Sequence, residues 1–270
     1  MIDISFIILT WNSRTYIRRC LDSVAAACRR DGVAFEVVVV DNGSTDGSVE
    51  ELKQYQTAEP DTYRMIRFDT NRGTTYPRNV GIRESRGQHL CVLDSDTEFG
   101  EGSIREVLNH LQAEPSVGII APRLVFPTGS VQVSVKRFPA FWHKLLKIPK
   151  ALFGLHVVDA DFYEGFPFNE ATAIDTAISA CWFFRRDLLD SVGFLDEKIF
   201  YSPEDLDYCV RVAKQGRRVL YWPALTITHH TQQISHRKPL SKTSRSHFWG
   251  LIYYYRKHGG WLRAPSFSRT

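Results

Sequence analysis

The sequence predicts an α/β fold in which a mostly parallel sheet is covered by helices on both faces. Four almost continuous apolar runs, residues 2–9, 35–40, 89–93 and 117–121, are typical of strands that are buried on both faces. The segments between them carry apolar residues three or four positions apart, which is the period of an amphipathic helix. This alternation of strand and helix patterns predicts repeated βαβ units.

Three helices are predicted from that spacing. The first follows the first strand, the second follows the loop 42–47, and the third ends before Pro115. Their apolar positions are Ile17, Cys20, Leu21, Val24 and Cys28, then Val49, Leu52 and Tyr55, then Ile104, Val107, Leu108 and Leu111. Each set forms one apolar face on its helix.

Length and composition allow one large α/β domain, or one such domain with an extension. The 270 residues are 43% hydrophobic and 24% charged, which are ordinary globular values, and no low-complexity tract or internal repeat is present. The net charge is +4, with basic residues concentrated between Lys136 and Lys150 and again from Arg237 onward. This modest charge, without a helix-turn-helix, zinc or RNA-binding motif, argues against a nucleic-acid partner.

The cysteines and the chain start indicate the compartment. The five cysteines are odd in number and include no CxxC pair, so we expect reduced thiols in the core. Residues 1–10 lack the basic start and the cleavage site of a signal peptide. No apolar run approaches the roughly 18 residues of a membrane span. We therefore expect a cytoplasmic protein with at most peripheral contact with the inner face of the cell membrane.

Polar side chains follow three of the predicted strands. Thr10 and Asn12 follow the first strand, residues 41–46 follow the second, and Asp94 and Asp96 follow a later one. Ligands of open parallel sheets bind beyond the carboxyl ends of the strands, so these loops should converge on one crevice. The Asp-Asn-Gly-Ser sequence that opens the second loop would, by itself, be an ordinary turn.

Asp94 and Asp96 are separated by a single serine. Carboxylates this close at the mouth of a buried strand repel each other and lose hydration, so a cation usually binds them, and oxygen ligands favour Mg²⁺ or Mn²⁺. A hard metal in turn indicates a phosphate-containing substrate. The motif also fits an aspartyl-nucleophile phosphatase, but that class normally carries it on the first strand, and here two complete βα units come before it.

Five blocks of sequence occur in a specific order. They are Ser-Phe-Ile-Ile-Leu-Thr-Trp-Asn at 5–12, Val-Val-Val-Asp-Asn-Gly-Ser-Thr-Asp at 38–46, Asn-Arg-Gly at 71–73 with Arg-Asn-Val-Gly at 78–81, Leu-Asp-Ser-Asp-Thr at 93–97, and the segment 179–230, which contains Glu-Asp-Leu-Asp and a pair of histidines. Each block alone is a weak signal. In this order they resemble the family 2 glycosyltransferases, inverting enzymes that use nucleotide sugars, and the rhamnosyltransferases among them.

The resemblance implies a GT-A fold, with a Rossmann-like, mostly parallel central sheet flanked by helices and a C-terminal helical extension. Residues 1–235 would form the glycosyltransferase domain. Within it, residues 1–98 would bind the nucleotide sugar and residues 99–235 the acceptor, on one continuous sheet. Residues 236–270 would form a basic, aromatic extension.

The resemblance also implies roles for residues around the crevice. Asp41 would accept a hydrogen bond from the imide N–H of a pyrimidine such as uracil or thymine, and Asp94 would face the ribose. Asp96 would bind Mn²⁺ or Mg²⁺ together with His229, with His230 as the second candidate. Further contacts with the nucleotide sugar would come from Thr10, Asn12, Asn71, Gly73, Arg78, Asn79 and Ser95. An equal alternative for Arg78 is that it is a solvent-exposed residue on a surface helix without contact to the nucleotide sugar.

The acceptor side is indicated by Glu204 and Asp205, which should lie in the first turn of an amphipathic helix. Acids commonly stabilise helix N-termini, so a structural role is the simpler interpretation. The resemblance nevertheless assigns the general base to this pair, and we favour Asp205 over Glu204. Trp182 offers a flat face for a sugar ring of the acceptor, although a place in the core is an equal interpretation.

The predicted function is transfer of a rhamnosyl or hexosyl group from a UDP- or dTDP-linked donor to a hydroxyl of a glycan or lipid-linked acceptor, in cell-surface polysaccharide synthesis. A direct displacement would invert the anomeric carbon. Two alternatives stay open, the phosphatase and a module that binds nucleotide sugars without turning them over. A sugar-nucleotide pyrophosphorylase would need a Gly-rich loop after the first strand, where this chain has Thr-Trp-Asn-Ser.

Two segments carry a separate hypothesis. Residues 136–154 and 245–261 mix cations with aromatic and aliphatic side chains, which suits contact with anionic lipid headgroups. Packing on the domain is the simpler interpretation of the first segment. If both lie on one face, they would bring the enzyme to a lipid-linked acceptor.

Overall fold

The computed structural model describes residues 1–142, 161–231 and 242–267. The N-terminal half alternates strands and helices, as the sequence predicts. Its elements are β1 Ile4–Thr10, α1 Ile17–Arg30, β2 Phe35–Asn42, α2 Ser48–Ala58, β3 Tyr63–Phe68, α3 Thr75–Glu84 and β4 His89–Asp94. Of these, β3 is the strand that the apolar runs did not indicate.

The second half contains more short strands. Its elements are β5 Thr97–Phe99, α4 Ile104–Ala113, β6 Val117–Val125, β7 Val135–Lys136, β8 Thr172–Ile174, β9 Thr176–Ala177, β10 Cys181–Arg185, α5 Leu188–Val192, α6 Glu204–Lys214, β11 Arg218–His229 and α7 Lys242–His258. The predicted helix before Pro115 and the predicted strand after it are present as α4 and β6. Most of the basic segment 136–154, and the boundary proposed at residue 235, lie outside the described residues.

One sheet runs through both halves, as predicted. Its strand order is β3-β2-β1-β4-β10-β6-β11-β5, with β8 paired to β11. The strands from β3 to β4 are parallel. Strand β10 is antiparallel to both of its neighbours, so the sheet as a whole is mixed. This reversal brings the residues that precede β10 to the carboxyl end of β4.

The core has one layer on each face of the sheet, because successive side chains of a strand point to opposite faces. Phe6 and Ile8 of β1 pack with the apolar face of α1. Ile7 belongs to the buried cluster on the other face, which includes Ile82 of α3 and Tyr208 of α6. All five cysteines are buried free thiols, which confirms the prediction for them.

The C-terminal helix α7 packs against α6. Tyr254 is fully buried between them. Asp207 of α6 accepts hydrogen bonds from Lys257 and His258 of α7, each at 2.7 Å. Burial alone would raise the pKa of Asp207, but the hydrogen bond from His258 and the charges of Arg211 and Lys257 outweigh it and hold the pKa at about 2. Among the described residues, none of the helices is both long enough and apolar enough to span a bilayer.

Candidate active site

The candidate site lies at the carboxyl ends of β1, β2 and β4. Thr10 pairs in register with Asp41, and Leu9 pairs with Asp94, so the ends of these three strands lie side by side. On the other side of β4, the backbone N–H of Asp94 donates to the carbonyl of Ala180, just before β10. The polar residues that the sequence placed after separate strands therefore do meet at one edge of the sheet.

Short side chains tie the loops at this edge together. The backbone N–H of Asn12 donates to Ser44 Oγ, and Asn12 Oδ1 accepts from the backbone N–H of Thr45, both at 2.9 Å. Ser95 Oγ donates to Ser13 Oγ at 2.8 Å. Asn12 has a φ of 52°, a left-handed conformation that asparagine tolerates better than most residues. In the structure, Asn12 and Ser95 thus fix the shape of the crevice.

Thr10 and Asp41 each present a buried polar atom to the end of the sheet. Both side chains are fully buried. Asp41 Oδ2 accepts from the backbone N–H of Ser44 at 3.2 Å. Within the described part of the chain, Asp41 Oδ1 and Thr10 Oγ1 have no hydrogen-bond partner. A buried acceptor without a donor is unfavourable, so these two atoms are suited to a ligand that supplies N–H or O–H groups.

Asp94, Asp96 and His229 form a cluster with the composition of a metal site. One potential ligand atom from each lies within 4.8 Å of the others. Asp94 ends β4, Asp96 lies in the turn to β5, and His229 ends β11. Asp96 and His229 are buried, whereas the Asp94 side chain is 34% exposed. Two carboxylates and one imidazole fit a divalent cation such as Mn²⁺, and the oxygens alone would suit Mg²⁺.

The orientation of His229 is set by a glutamine. His229 Nδ1 lies 2.9 Å from Gln132 Oε1, which can only accept, so Nδ1 carries a proton and Nε2 is the ring nitrogen that faces Asp96. His229 Nε2 lies 3.4 Å from Asp96 Oδ1. Burial disfavours the charged imidazole, but the hydrogen bond and charge of Asp96 outweigh it and raise the pKa of His229. This arrangement is typical of a histidine that binds a metal through Nε2.

His230 points away from the cluster. Its Nε2 lies 2.7 Å from Glu98 Oε1, and its ring packs against Tyr16. Adjacent residues of an extended segment face opposite sides, which is why one of the two histidines faces the crevice and the other does not. Of the two candidates, His229 is the one that the structure brings to Asp96.

Arg78 is buried at the centre of the site and is not the solvated surface residue of the alternative interpretation. Its side chain is 2% exposed. Nη2 donates to Asp94 Oδ1 at 2.6 Å and to the backbone carbonyl of Ser179 at 3.1 Å. Nη1 donates to Ser179 Oγ at 2.8 Å and to Glu204 Oε1 at 3.2 Å. Burial raises the pKa of Asp94. The positive charge of Arg78 lowers this pKa and the negative charge of Asp96 raises it, and the net shift is upward.

The helix α6 begins with the two predicted acids. Glu204 is buried, and its Oε1 also accepts from Ser179 Oγ at 2.8 Å. Burial, with the charge of Asp205, raises the pKa of Glu204 to about 7. Asp205 is only half-buried, and its Oδ1 accepts from the backbone N–H of Leu206 at 2.8 Å. Glu204 is therefore engaged by Arg78 and Ser179, and Asp205 is the more accessible acid.

The loop before α3 joins the two halves of the domain. Asn71 Oδ1 accepts from Asn42 Nδ2 and from the backbone N–H of Gly73. Gly73 has a φ of 85°, and a Cβ there would lie 2.0 Å from the carbonyl oxygen of Phe200. The backbone N–H of Thr74 donates to that same oxygen at 2.6 Å. In the structure, Asn71 and Gly73 hold this loop against the segment that leads to Glu204.

Asn79 does not reach the crevice. It is fully buried, and its Nδ2 donates to the carbonyl of Leu195 and to Glu197 Oε1, both at 2.9 Å. Its Oδ1 accepts from the backbone N–H of Leu195 at 3.0 Å. These contacts use the polar atoms of Asn79 to fix the segment after α5. The expected contact with the nucleotide sugar is replaced by a structural role.

Trp182 also lies in the core and not on the crevice wall. It is 1% exposed and stacks on Tyr208 of α6, with 6.1 Å between the ring centroids. Because β10 is an internal strand covered on both faces, its aromatic side chains fill the core. Of the two interpretations from the sequence, the structure therefore supports the core tryptophan and not the acceptor platform.

Two residues of the site were missed by the sequence reasoning. Ser179 bonds to both Arg78 and Glu204, and its place at the start of the fifth sequence block was an available signal. Gln132 is far from every motif, and it reaches His229 only through tertiary structure.

Comparisons with known proteins identify the family. The family model "Glycosyl transferase family 2" matches residues 5–193, and the chain belongs to this family. This removes the phosphatase alternative. The chain is 26% identical over 278 residues to an N-acetylglucosaminyl-diphospho-decaprenol L-rhamnosyltransferase of Mycobacterium tuberculosis, covering 95% of this chain and 85% of that protein.

Solved structures identify the fold. GalNAc-T7, solved with UDP, GalNAc and Mn²⁺, matches with a TM-score of 0.71 and 15% identity over 95% of this chain and 48% of that one. A mannosyltransferase of Pyrobaculum calidifontis, solved with GDP-Man and Mn²⁺, matches with a TM-score of 0.58 and 18% identity over 97% of this chain and 65% of that one. The chain thus spans about half to two-thirds of these proteins, and its fold is that of the GT-A glycosyltransferases.

Proposed function

We propose that the protein is a metal-dependent, inverting glycosyltransferase. It transfers a sugar from a UDP- or dTDP-linked donor to a hydroxyl of a glycan or lipid-linked acceptor in cell-surface polysaccharide synthesis. The observation that carries the proposal is the cluster of Asp94, Asp96 and His229, which Arg78 connects to Glu204 at the start of α6. The similarity to a rhamnosyltransferase supports a rhamnosyl donor as the first to test.

On the donor side, Asp41 Oδ1 accepts the imide N–H of the pyrimidine, and Thr10 adds a second polar contact at the same strand ends. Asp94 faces the ribose, held in place by Arg78. Asp96 and His229 hold the metal, with Gln132 fixing the tautomer of the histidine. When bound, Mn²⁺ or Mg²⁺ neutralises negative charge on the diphosphate leaving group.

On the acceptor side, Asp205 takes the proton from the attacking hydroxyl. The hydroxyl oxygen forms the new bond to the anomeric carbon, while the bond from that carbon to the diphosphate breaks and the diphosphate keeps the electron pair. One displacement inverts the configuration of that carbon. Glu204 positions the helix start through Arg78 and Ser179, because its carboxylate is already engaged by them.

Turnover of a donor panel tests the proposal. UDP- and dTDP-linked hexoses and dTDP-rhamnose are incubated with Mn²⁺ and N-acetylglucosaminyl-diphospho-decaprenol, and the anomeric configuration of any product is read by NMR. We expect an inverted product from one donor. Asp205→Asn should lower the rate by about 10²–10⁴-fold and leave nucleotide binding intact. Asp187→Asn, at a side chain that is 53% exposed, is the matched control.

Two outcomes would change the assignment. Retained activity in Asp205→Asn, with activity lost in Glu204→Gln, would move the general base to Glu204. Nucleotide binding without turnover of any donor would favour the module that binds nucleotide sugars and does not transfer them.

A further inference from the structure

The outer face of α7 is basic and aromatic. Phe248 and Trp249 are 56% and 66% exposed, and their rings contact each other at 5.5 Å between centroids. An α-helix has 3.6 residues per turn, so residues separated by three or four positions lie on the same side of it. The outer stripe that this spacing defines consists of Arg245, Trp249, Ile252 and Arg256.

The inner face of the same helix is fixed to the candidate active site. Gly250 lies against the residue before Pro203, since an added Cβ would be 2.1 Å from the carbonyl oxygen of Ser202. Two turns later, His258 and Lys257 bond to the buried Asp207 of α6. Helix α6 begins with Glu204 and Asp205. The outer stripe of α7 is therefore held in a defined orientation relative to the acceptor side of the site.

A second group of exposed apolar residues extends this surface. Trp142, Trp261 and Leu262 are 44%, 39% and 82% exposed. Trp142 Nε1 donates to the carbonyl of Leu262 at 3.0 Å, and the ring of Trp261 lies 5.6 Å from that of Tyr255. Tyr255 lies two turns after Phe248 on the same flank of α7 but is fully buried, so at this end of the flank Trp261 and not Tyr255 is exposed.

The charge of this region is one-sided. Residues 236–270 contain eight lysines and arginines and no acidic residue. Because the whole chain has a net charge of +4, the preceding residues carry a net charge of −4. Arg245, Arg256 and Arg263 are exposed, and within the described ranges none of them forms an ion pair. An anionic partner would complement this surface, whereas a second copy of the same basic face would repel it.

We propose that the outer face of α7, with Trp142, Trp261 and Leu262, binds the surface of an anionic lipid bilayer. Aromatic side chains would enter the boundary between headgroups and acyl chains, and the arginines would contact the headgroups. The bilayer would then lie beside the helix start that carries Asp205. Membrane binding itself is independent of the proposed function. Only the conclusion that the membrane presents the acceptor to the site rests on the proposed function.

Vesicle flotation, performed without substrate, tests the proposal. The whole chain is mixed with vesicles of phosphatidylcholine alone or of phosphatidylcholine with phosphatidylglycerol. We expect flotation with the anionic vesicles and loss of it at high salt. Phe248→Ser with Trp249→Ser should weaken binding by about tenfold or more per side chain. Arg245→Gln with Arg256→Gln should weaken it by about fivefold per charge. Phe194→Ser, at an exposed aromatic residue elsewhere, should have no effect.

Calorimetric binding of nucleoside diphosphates to the same variants separates this proposal from the proposed function. Nucleotide binding should be unchanged in all of them, because none of the substituted residues lies at the strand ends. A protein that binds nucleotide but does not float with anionic vesicles would overturn the membrane proposal alone. So would a dimer in analytical ultracentrifugation that Phe248→Ser and Trp249→Ser dissociate, since a second copy would then cover the face. Flotation without nucleotide binding would overturn the proposed function and leave the membrane surface standing.

Discussion

Arg78 and Glu204 form a buried ion pair, with 3.2 Å between Nη1 and Oε1. Arg78 lies on α3 in the first half of the chain, and Glu204 begins α6 in the second half. The other terminal nitrogen of the same guanidinium lies 2.6 Å from Asp94. Because a guanidinium is rigid and planar, it holds the two carboxylates at a fixed separation. A single side chain thus connects Asp94, at the end of β4, to Glu204, which precedes the candidate base Asp205 at the start of α6.

Replacing Arg78 with methionine should destabilise the protein by about 3–5 kcal/mol, because two carboxylates would lose their shared cation in a buried place. The free energy of unfolding in urea is the measurement. Arg83→Met is the matched control, since Arg83 lies on the same helix and pairs with Glu197 at 3.0 Å but is 47% exposed. That control should cost less than about 1 kcal/mol. Equal losses in the two variants would contradict a buried bridge at Arg78.

Gly73→Ala should destabilise the protein more than Gly32→Ala. Both glycines have positive φ, 85° and 61°, so alanine is strained at each by about 1–2 kcal/mol. A Cβ at Gly73 would meet the carbonyl of Phe200, whereas one at Gly32 has no atom within 4 Å. The clash should add roughly 1–3 kcal/mol to the change in unfolding free energy. It should also lower transfer activity, because the loop packs against the segment around Phe200 that leads to Glu204. The same loss in both variants would show that the close approach is unimportant.

The pH dependence of the unfolding free energy should reflect the raised pKa of Glu204. Its pKa rises from 4.5 in the unfolded chain to about 7 in the folded protein, chiefly through burial. Between these values the folded state binds more protons than the unfolded state, so stability falls as pH rises. One such proton contributes a slope of up to about 1.4 kcal/mol per pH unit.

Glu204→Gln should remove the contribution of this one proton, so the fall in stability with pH should be shallower between pH 4.5 and 7. Urea unfolding at a series of pH values measures the change. Glu50→Gln, at an exposed position on α2, should leave the slope unchanged. Asp94 shifts in the same direction as Glu204, so some slope should persist in the variant. A wild-type stability that rises from pH 4.5 to 7 would show that Glu204 ionises normally.

Gln132→Ala should weaken Mn²⁺ binding by about 10- to 100-fold, because His229 would lose the acceptor that fixes its tautomer. Titration of Mn²⁺ followed by electron paramagnetic resonance measures this without turnover. Val133→Ala, at the neighbouring half-exposed side chain, serves as the control. Unchanged Mn²⁺ affinity in Gln132→Ala would mean that His229 needs no such support.

The features that the sequence predicted correctly depend on local patterns, and the features that it missed depend on contacts between distant parts of the chain. Strands β1, β2, β4 and β6 were evident because each is buried on both faces, so its residues are nearly all apolar. Strand β3 was not evident, because it is the edge strand of the sheet and carries Arg64 and Arg67 among its apolar residues. The apolar runs therefore predicted the interior strands of the sheet but not the edge strand β3.

The site follows the same division. The acids at the strand ends were found because topology alone brings those ends together. Asn79 was assigned to the crevice because it follows Arg78 in a motif, but its partners Leu195 and Glu197 lie more than a hundred residues further along the chain. No local pattern encodes such a contact, and the same holds for Gln132 and His229.

The most direct test of the account is calorimetric titration of UDP, dTDP and GDP, with and without Mn²⁺. The proteins are the wild type, Asp96→Ala, His229→Ala and, as the matched control, His230→Ala. We expect Mn²⁺-dependent binding of a pyrimidine nucleotide that Asp96→Ala and His229→Ala abolish and His230→Ala retains. Binding that survives in His229→Ala, or the absence of binding by any of the three nucleotides, would contradict the metal-dependent donor site.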